Sequence, residues 1–370
     1  MPHTVVIAPD SFKGSLAAGE VAEALADGWR SVRSSDRLVL LPQADGGEGT
    51  LDAVEASSPG AERVAVGLVT GPDGRPTQGE WLRLADGTAV VELAQMSGLP
   101  LMQRLDAAGA TTVGLGQVLR AAVAAGAPRV VVALGGSAST DGGAGALVAL
   151  GARLLDARHA ELDRGGASLA RLASIDLTAL VAAPAGGVVL LTDVTSPLLG
   201  PDGAAAVFGP QKGASPDDVD RLDAALGRFA TVLGGHPEAP GAGAAGGTAF
   251  GLASAWGAGM RAGADYVAEL TGLPAALHDA SIVITGEGRF DSQSFAGKVV
   301  GRVLARAAER AVPVAVVAGQ DSVRDWPSAL PIAARLDLVT LAGSTEAAMA
   351  DARRWLHAAG ARLAREHTPD

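Results

Sequence analysis

Each of the three lysines in this 370-residue chain has a glycine beside it. They are Lys13 in Ser-Phe-Lys-Gly-Ser, Lys212 in Pro-Gln-Lys-Gly-Ala and Lys298 in Ala-Gly-Lys-Val. An ammonium group is a compact charge that can sit on a phosphate or a carboxylate, and a neighbouring glycine lets the backbone approach the same anion. Three ordinary surface lysines are the alternative interpretation, but all three lie in polar, glycine-rich runs. The pattern therefore predicts a phosphate-handling site.

Four loops share a second pattern, in which an apolar strand ends and Asp, Ser or Glu follows among glycines. They are Ala8–Gly14, Gln43–Thr50, Leu134–Gly143 and Ile284–Asp291. In open α/β sheets the carboxyl ends of strands bind ligands, and helix N-termini there favour anions. Carboxylates alone would repel a phosphate, and Mg²⁺ accounts for them here, because it typically binds one or two carboxylates together with phosphate oxygens. Cations, carboxylates and a metal are the parts that phosphoryl transfer uses.

Common nucleotide fingerprints are missing from the sequence. The stretch from Gly288 to Val299 has the wrong spacing for a P-loop, and Val299 stands where that motif needs Ser or Thr. No strand-linked G-x-G-x-x-G occurs, which disfavours a dehydrogenase. The six histidines all lie outside the four loops, which disfavours histidine-based acid–base chemistry.

Composition excludes several function classes. A net charge of −11 disfavours nucleic acid as a partner. Without cysteine, disulfides, thiolate nucleophiles and cysteine-based zinc sites are excluded. No apolar run approaches the ~18 residues of a membrane span, and no basic amphipathic stretch suggests a membrane surface. We therefore expect a cytoplasmic protein; the sequence carries no prediction of its oligomeric state.

The alternation of β-branched runs with Ala-rich stretches predicts an α/β fold with a parallel sheet. Strands are predicted near 4–8, 37–42, 129–134, 187–192, 281–285, 312–318 and 336–341. Helices are predicted near 17–33, 47–56, 111–126, 143–156, 216–233, 248–261, 298–310 and 345–366. Between 62 and 94, hairpin signals at Gly71–Gly74 and at Asp86-Gly87 predict antiparallel strands instead.

This change of pattern predicts two α/β domains. Residues 1–62 and 280–370 would form a discontinuous, Rossmann-like parallel-sheet domain. Residues 63–279 would form an inserted mixed α/β domain, with the active site in the cleft between the two. Two consecutive halves that divide near residue 180 are the alternative.

Read together, the motifs resemble those of the bacterial glycerate kinase family, the type of the glyoxylate and galactarate pathways. The matching stretches are APDSFKGSL (8–16), ADGGEGT (44–50), LGGSASTDGGAG (134–145), TDVTSPLLG (192–200), GAAAVFGPQKGA (203–214), GAGAAGG (241–247) and TGEGRFDSQSFAGK (285–298). They are collinear and span most of the chain. The resemblance implies a two-domain kinase that phosphorylates D-glycerate with ATP and Mg²⁺.

Loop position and the resemblance together imply roles for individual residues. Catalytic roles fall to Asp193, Glu287, Asp291 and Lys298, and Mg²⁺ ligation to Asp193 and Asp291. Contacts to the hydroxy acid fall to Asp10, Ser11, Lys13, Asp45 and Arg289, with Lys13 facing the carboxylate. Contacts to the nucleotide phosphates fall to Gly135, Gly136, Ser137, Asp141 and Lys212.

The chain departs from the family pattern in one place that matters for chemistry. Thr195-Ser196 stand where the family usually has an acidic or polar residue followed by Asn, which removes an amide near Asp193. A kinase for another small hydroxy acid and a non-catalytic nucleotide- or acid-binding regulator remain the alternatives. The resembled enzymes favour 2-phosphoglycerate over 3-phosphoglycerate as the product.

Overall fold

The computed structural model describes residues 3–295, 298–324, 326 and 330–367. Ala296 and Gly297, which belong to the 285–298 motif, lie outside the described residues.

The described elements alternate between strands and helices along most of the chain. The strands are β1 (Thr4–Ile7), β2 (Arg37–Leu40), β3 (Glu62–Thr70), β4 (Pro76–Arg83), β5 (Ala89–Glu92), β6 (Val130–Ala133), β7 (Arg153–Leu155), β8 (Ser174–Asp176), β9 (Val188–Leu191), β10 (Gly259–Arg261), β11 (Ile282–Phe290), β12 (Val314–Asp321) and β13 (Ile332–Asp337). The α-helices are α1 (Ala18–Arg30), α2 (Thr50–Ser57), α3 (Ala94–Ser97), α4 (Val113–Ala124), α5 (Ala144–Ala149), α6 (Ala204–Phe208), α7 (Pro216–Leu233), α8 (Thr248–Trp256), α9 (Gly263–Leu270), α10 (Leu273–Ala276), α11 (Val299–Ala308), α12 (Leu338–Ala342), α13 (Thr345–Ala350) and α14 (Ala352–Glu366). Short 3₁₀ turns cover Leu99–Leu101, Gly166–Arg171, Pro210–Lys212 and Ser292–Phe295.

The chain divides into two compact units. The first comprises Met1–Asp45, Asp52–Pro59 and Ala264–Asp370, and the second Gly46–Leu51 and Gly60–Gly263. The helical segment from Ala264 to α10 therefore belongs to the first unit. The assignment of 63–279 as an inserted domain, with 1–62 and 280–370 as the other, stays a prediction.

The first unit is built on a five-stranded parallel sheet of order β13-β12-β11-β1-β2. In the register of this sheet, Val5 of β1 lies beside Ile282 of β11 on one side and Leu38 of β2 on the other. The continuous apolar runs of β1 and β11 are buried because helices cover both faces. Helices α1 and α14 pack on one face, and α11 packs on the other. Chain order reverses between β1 and β11, which makes this pair the switch point of the sheet.

The second unit contains a six-stranded mixed sheet of order β10-β9-β6-β5-β4-β3. Strands β10, β9, β6 and β5 are mutually parallel. Strand β4 pairs antiparallel with β5, and β3 pairs antiparallel with β4. The hairpin signals between residues 62 and 94 correspond to these antiparallel strands, which confirms that part of the prediction. A parallel sheet and a mixed sheet, each with its own helices, confirm the predicted α/β fold class.

Several predicted elements were wrong in type or extent. The helix predicted at 345–366 is divided into α13 and α14, and the strand predicted at 281–285 continues to Phe290. The strand predicted at 336–341 is the end of β13 followed by α12, because Asp337 caps that helix by accepting the Thr340 N–H. The helix predicted at 143–156 stops at Ala149, and β7 follows. Gly151 has a φ of 112° there and lies where a Cβ would meet the Ala179 carbonyl. The helix predicted at 248–261 ends at Trp256, where Gly257 adopts the left-handed conformation.

Candidate active site

A pocket of about 350 Å³ lies at the carboxyl ends of the first unit's strands. Its polar wall unites predicted site residues from three loops: Asp10, Ser11 and Lys13 after β1; Asp45 after β2; and Glu287, Arg289, Asp291 and Lys298 from β11 and the segment that follows it. These loops are far apart in sequence. The parallel pairing of β1 with both β2 and β11 brings them together at the switch point.

Glycine at two strand positions allows this edge of the sheet to pack closely. A Cβ on Gly286 would meet the Val317 carbonyl oxygen at 1.9 Å, and one on Gly319 would meet the Gly288 carbonyl oxygen at 2.3 Å. Both distances are far below contact, so β11 and β12 can run side by side past the pocket only without side chains there. Glu287 and Arg289 are held on this stiff stretch of strand.

The surroundings of Asp10 raise its pKa into the range in which a carboxylate can accept a proton. Its Oδ1 accepts the Ser11 N–H at 2.6 Å, and Oδ2 accepts no hydrogen bond from the part of the chain that the structure describes. Burial, the nearby Asp45 carboxylate and, more weakly, Glu287 raise the pKa of Asp10 to about 7, against the lowering effects of the Ser11 N–H and of Lys13. A carboxyl group with that pKa can exchange a proton near neutral pH.

Glu287 is a buried acid with an unsatisfied oxygen. Its side chain is 8% exposed, and its Oε1 is buried with no hydrogen-bond partner among residues 3–295, 298–324, 326 and 330–367. Burial raises the pKa of Glu287, while a hydrogen bond from Ser294 and the charge of Lys298 lower it. A buried carboxylate with a free oxygen is suited to a cation that enters with the ligand.

The cations of the pocket are exposed and available to a ligand. Lys13, Arg289 and Lys298 are all exposed. Lys298 is the N-cap of α11 with an extended backbone, φ −72° and ψ 170°, so the free N–H groups of the first helical turn begin at the next residue. The Arg289 Nε lies 4.0 Å from Asp291 Oδ2. This wall could stabilise negative charge on a carboxylate or a phosphoryl group.

The remaining predicted residues lie in the second unit and do not line this pocket. Asp193 is exposed at the end of β9, and its Oδ1 accepts the Gly263 N–H at 2.8 Å. Its position after a buried strand agrees with the sequence interpretation of a rigidly held carboxylate.

Asp141 and Lys212 are buried within the second unit. Asp141 accepts hydrogen bonds from the Thr112 N–H and hydroxyl and from the N–H groups of Gly143 and Gly145. Lys212 is 2% exposed, and its ammonium group donates to the Ser139 carbonyl oxygen. Burial lowers the pKa of Lys212 to about 8, whereas Asp141 raises it. These contacts brace the loop that carries Ser137.

Gly135 lies in a tight crossing of two glycine loops. The Gly135 N–H donates to the Gly46 carbonyl oxygen at 3.0 Å, and a Cβ on Gly135 would meet the Gly47 Cα at 2.4 Å. Gly136 has a φ of 77°, in the left-handed region. Ser137 is largely buried, with its hydroxyl 3.4 Å from that of Ser139.

Two polar residues of these sites escaped the sequence analysis. Glu92 is 1% exposed at the end of β5, and its carboxylate accepts the N–H groups of Gly49 and Leu51 at the start of α2. The Ser294 side chain hydrogen-bonds the Glu287 carboxylate, and its hydroxyl oxygen accepts the Asp291 N–H. The position of Glu92 after Ala-Val-Val was a usable signal, since an acid at the end of a buried strand marks several other site residues.

A sequence model described as the glycerate kinase family matches residues 5–368. The chain belongs to the glycerate kinase family. Its membership confirms the resemblance drawn from the motifs and assigns the chain to the phosphotransferases with an alcohol group as acceptor.

Individual members of the family are similar over most of their length. The chain is 43% identical over 324 residues to Glycerate 2-kinase of Escherichia coli (strain K12), covering 85% of this chain and 84% of that one. It is 43% identical over 327 residues to Glycerate kinase of Bacillus subtilis (strain 168), covering 86% and 85%. The crystal structure of putative glycerate kinase 2 from Salmonella typhimurium LT2 matches with a TM-score of 0.86 and 37% identity, over 99% of this chain and 98% of that one.

Two further structural findings bear on cofactors and setting. Among the described residues, no group of three or more His, Cys, Asp or Glu side chains is arranged to hold a metal ion. In the same part of the chain, no helix is long and apolar enough to cross a membrane.

Proposed function

We propose that this protein transfers the γ-phosphoryl group of ATP to D-glycerate in a Mg²⁺-dependent reaction, with 2-phosphoglycerate as the product. The observation that carries the proposal is the pocket at the switch point, which combines a proton acceptor of neutral pKa with three exposed cations. Family membership supports the choice of glycerate. The name Glycerate 2-kinase of the Escherichia coli relative supports the 2-position.

Glycerate binding is assigned to the loops after β1 and β2. Lys13 neutralises the substrate carboxylate, and Arg289 adds a second positive charge on the same wall. Ser11 and Asp45, which line the same pocket, are assigned to hydrogen-bond the two hydroxyl groups. These contacts are equal in the ground state and the transition state, so they set affinity more than rate.

Asp10 accepts the proton of the attacking hydroxyl. Its Oδ1 is fixed by the Ser11 N–H, which leaves Oδ2 to receive the proton as the oxygen–phosphorus bond forms. Because its pKa is about 7, Asp10 is substantially ionised at neutral pH and is a stronger base than an ordinary carboxylate.

Lys298 stabilises the charge that develops on the transferred phosphoryl group. Its position as the N-cap of α11 adds the positive end of the helix dipole to its own charge. Preorganised donors of this kind act mainly in the transition state, because no reorganisation is needed when the charge appears.

The donor chemistry of the pocket fits Mg²⁺ bound together with phosphate oxygens. Glu287, with its unsatisfied buried Oε1, and Asp291 would hold the ion. One or two carboxylates are the usual protein contribution to such a site. When bound, the ion neutralises the phosphate charge that these acids would otherwise repel.

The second unit keeps the proposed roles that the sequence indicates. The sequence indicates Asp193 as a Mg²⁺ ligand or base; because Asp10 is the proposed base, Asp193 keeps the role of a further Mg²⁺ ligand. The loop of Gly135, Gly136 and Ser137, which Asp141 and Lys212 brace, is one proposed contact for nucleotide phosphates.

ADP formation by the purified protein tests the proposal. We expect turnover that depends on ATP, D-glycerate and MgCl₂ together. Asp10→Asn should lose most of this activity, whereas Asp27→Asn, the same change on the exposed face of α1, should retain it. Binding of ATP without glycerate-dependent ADP formation would favour the regulator alternative. Turnover with a different hydroxy acid but not with D-glycerate would favour the alternative of a kinase for another small hydroxy acid.

A further inference from the structure

The pocket of the first unit has an apolar half that a three-carbon acid would not fill. Its apolar lining consists of Phe12, Leu338, Val339, Ala348, Met349 and Ala352. Most of these residues come from α12, α13 and α14. Met349 is 57% exposed, although a flexible apolar side chain gains from burial. Apolar surface that faces a concave pocket is typical of a ligand site.

The two halves of the pocket follow the order of the strands. Charged residues lie at the ends of β1, β2 and β11, whereas the other half is lined by Gln320 of β12 and by apolar residues of α12, α13 and α14, which follow β13. Phe12, also apolar, lies outside these helices, after β1. Neighbouring strands are about 4.8 Å apart, so β13 and β1 are separated by roughly 14 Å. A ligand that suits this arrangement is long, anionic at one end and flat and apolar at the other. The carboxamide of Gln320 can both donate to and accept from the edge of a heterocycle.

In the phosphate loop proposed for the second unit, two backbone N–H groups already donate to carbonyl oxygens. The Gly135 N–H is taken by the Gly46 carbonyl, and the Ala138 N–H by the Ser97 carbonyl. The Ser137 side chain is 7% exposed. Because the Gly135 and Ala138 N–H groups already have partners, this loop is at most a secondary contact for the phosphates. The exposed Lys298 and the first turn of α11 are therefore the better anion site.

We propose that the apolar half of this pocket binds the nucleobase of the phosphoryl donor, with the triphosphate directed toward Lys298. The inference rests on the proposed function only in that the donor is a nucleoside triphosphate. Val339, Ala352 and Met349 contact the faces of the base, and Gln320 hydrogen-bonds its edge.

Filling the apolar half tests the proposal. Ala352→Leu adds bulk to the lining, and Ala350→Leu, which adds the same bulk at an exposed position outside the pocket, is its control. Met349→Ala is a second variant at an exposed position that packing does not constrain, with Leu68→Ala on the exposed face of β3 as its control. For each protein, calorimetry with MgCl₂ gives the Kd for ADP, and steady-state kinetics give the KM for D-glycerate and for ATP.

We expect Ala352→Leu to raise the Kd for ADP and the KM for ATP about tenfold, and Met349→Ala to raise both about threefold. The KM for D-glycerate and all constants of the two controls should stay unchanged. An unchanged Kd for ADP in both variants, or a rise in the KM for D-glycerate that equals or exceeds the rise for ATP, would overturn the inference. The proposed function fails by a separate result, when the wild-type protein forms no ADP from ATP and D-glycerate.

Discussion

Asp10→Asn should reduce activity and increase stability at the same time. Asparagine keeps the shape of the side chain and an oxygen that can accept the Ser11 N–H, but it cannot take up a proton. A positioned general base typically contributes 10²–10⁴-fold to the rate. We therefore expect kcat to fall at least about a hundredfold, with little change in the KM for D-glycerate.

The pH dependence of the wild-type enzyme follows from the same group. With a pKa of about 7, roughly a tenth of Asp10 is ionised at pH 6 and roughly nine-tenths at pH 8. In the free enzyme kcat/KM for D-glycerate should therefore rise about tenfold between these values. Bound Mg²⁺ favours the ionised form and would move the inflection of kcat to lower pH. The residual activity of Asp10→Asn should lack this inflection.

Ionisation of Asp10 raises the activity but lowers the stability of the folded protein. The folded-state pKa of Asp10 lies above its ordinary value of 3.8, so ionisation of Asp10 destabilises the folded state. This destabilisation is absent below pH 3.8, develops as the pH rises toward 7 and is complete above it. The rise corresponds to roughly 4 kcal/mol at most, and because Asp10 is only half-buried, solvent screening lowers the expected value to about 2 kcal/mol.

Thermal unfolding of wild type and Asp10→Asn at pH 5 and pH 8 measures the destabilisation that ionised Asp10 causes. The Tm of the variant should exceed that of wild type by several degrees at pH 8 and by less at pH 5. Asp27→Asn should show neither change. A variant that keeps kcat within a few-fold of wild type, or whose Tm advantage does not grow with pH, would refute this account of Asp10.

Three further predictions concern the glycines and lysines of the sites. Lys298→Ala should lower kcat about a hundredfold, equivalent to ~3 kcal/mol of transition-state stabilisation, and Lys298→Arg should not restore it if a compact ammonium is needed; steady-state kinetics that show full activity in either variant would contradict this. Lys13→Ala should raise the KM for D-glycerate and leave kcat nearly unchanged, because its contact is made equally before and during the reaction; a selective loss of kcat would show that Lys13 acts on the phosphoryl group. Gly135→Ala should lower the Tm by several degrees, because its Cβ would overlap the Gly47 Cα at 2.4 Å, and an unchanged Tm would show that the two loops can separate.

Much of the first unit could be predicted because its strands are short apolar runs with polar loops at their carboxyl ends. The sequence pattern placed β1, β2 and the start of β11 close to their observed bounds, and with them Asp10, Glu287 and Lys298. Parallel pairing then brings these residues to one edge of the sheet, whatever the details of the intervening chain.

The errors have a common physical origin. Leu338–Ala342 was predicted as a strand because a short apolar run has no clear period, and the side chain of Asp337 decides the matter by capping a helix. The pKa and the burial of individual charged residues also could not be predicted from the sequence. The pKa of Asp10 is raised first by burial and then by Asp45 and Glu287, which are remote in sequence. Nothing next to Lys212 in the chain indicates that it is buried.

Phosphorus NMR of the reaction products tests the central claim most directly. The wild-type protein is incubated with D-glycerate, ATP and MgCl₂, and the phosphomonoester is identified by its coupling to the carbon-bound protons. We predict a single proton coupling, that of a phosphate on the 2-hydroxyl, together with an equal amount of ADP. Coupling to the two methylene protons would place the phosphate on the 3-hydroxyl. ATP that remains intact in the presence of D-glycerate would contradict the kinase assignment itself.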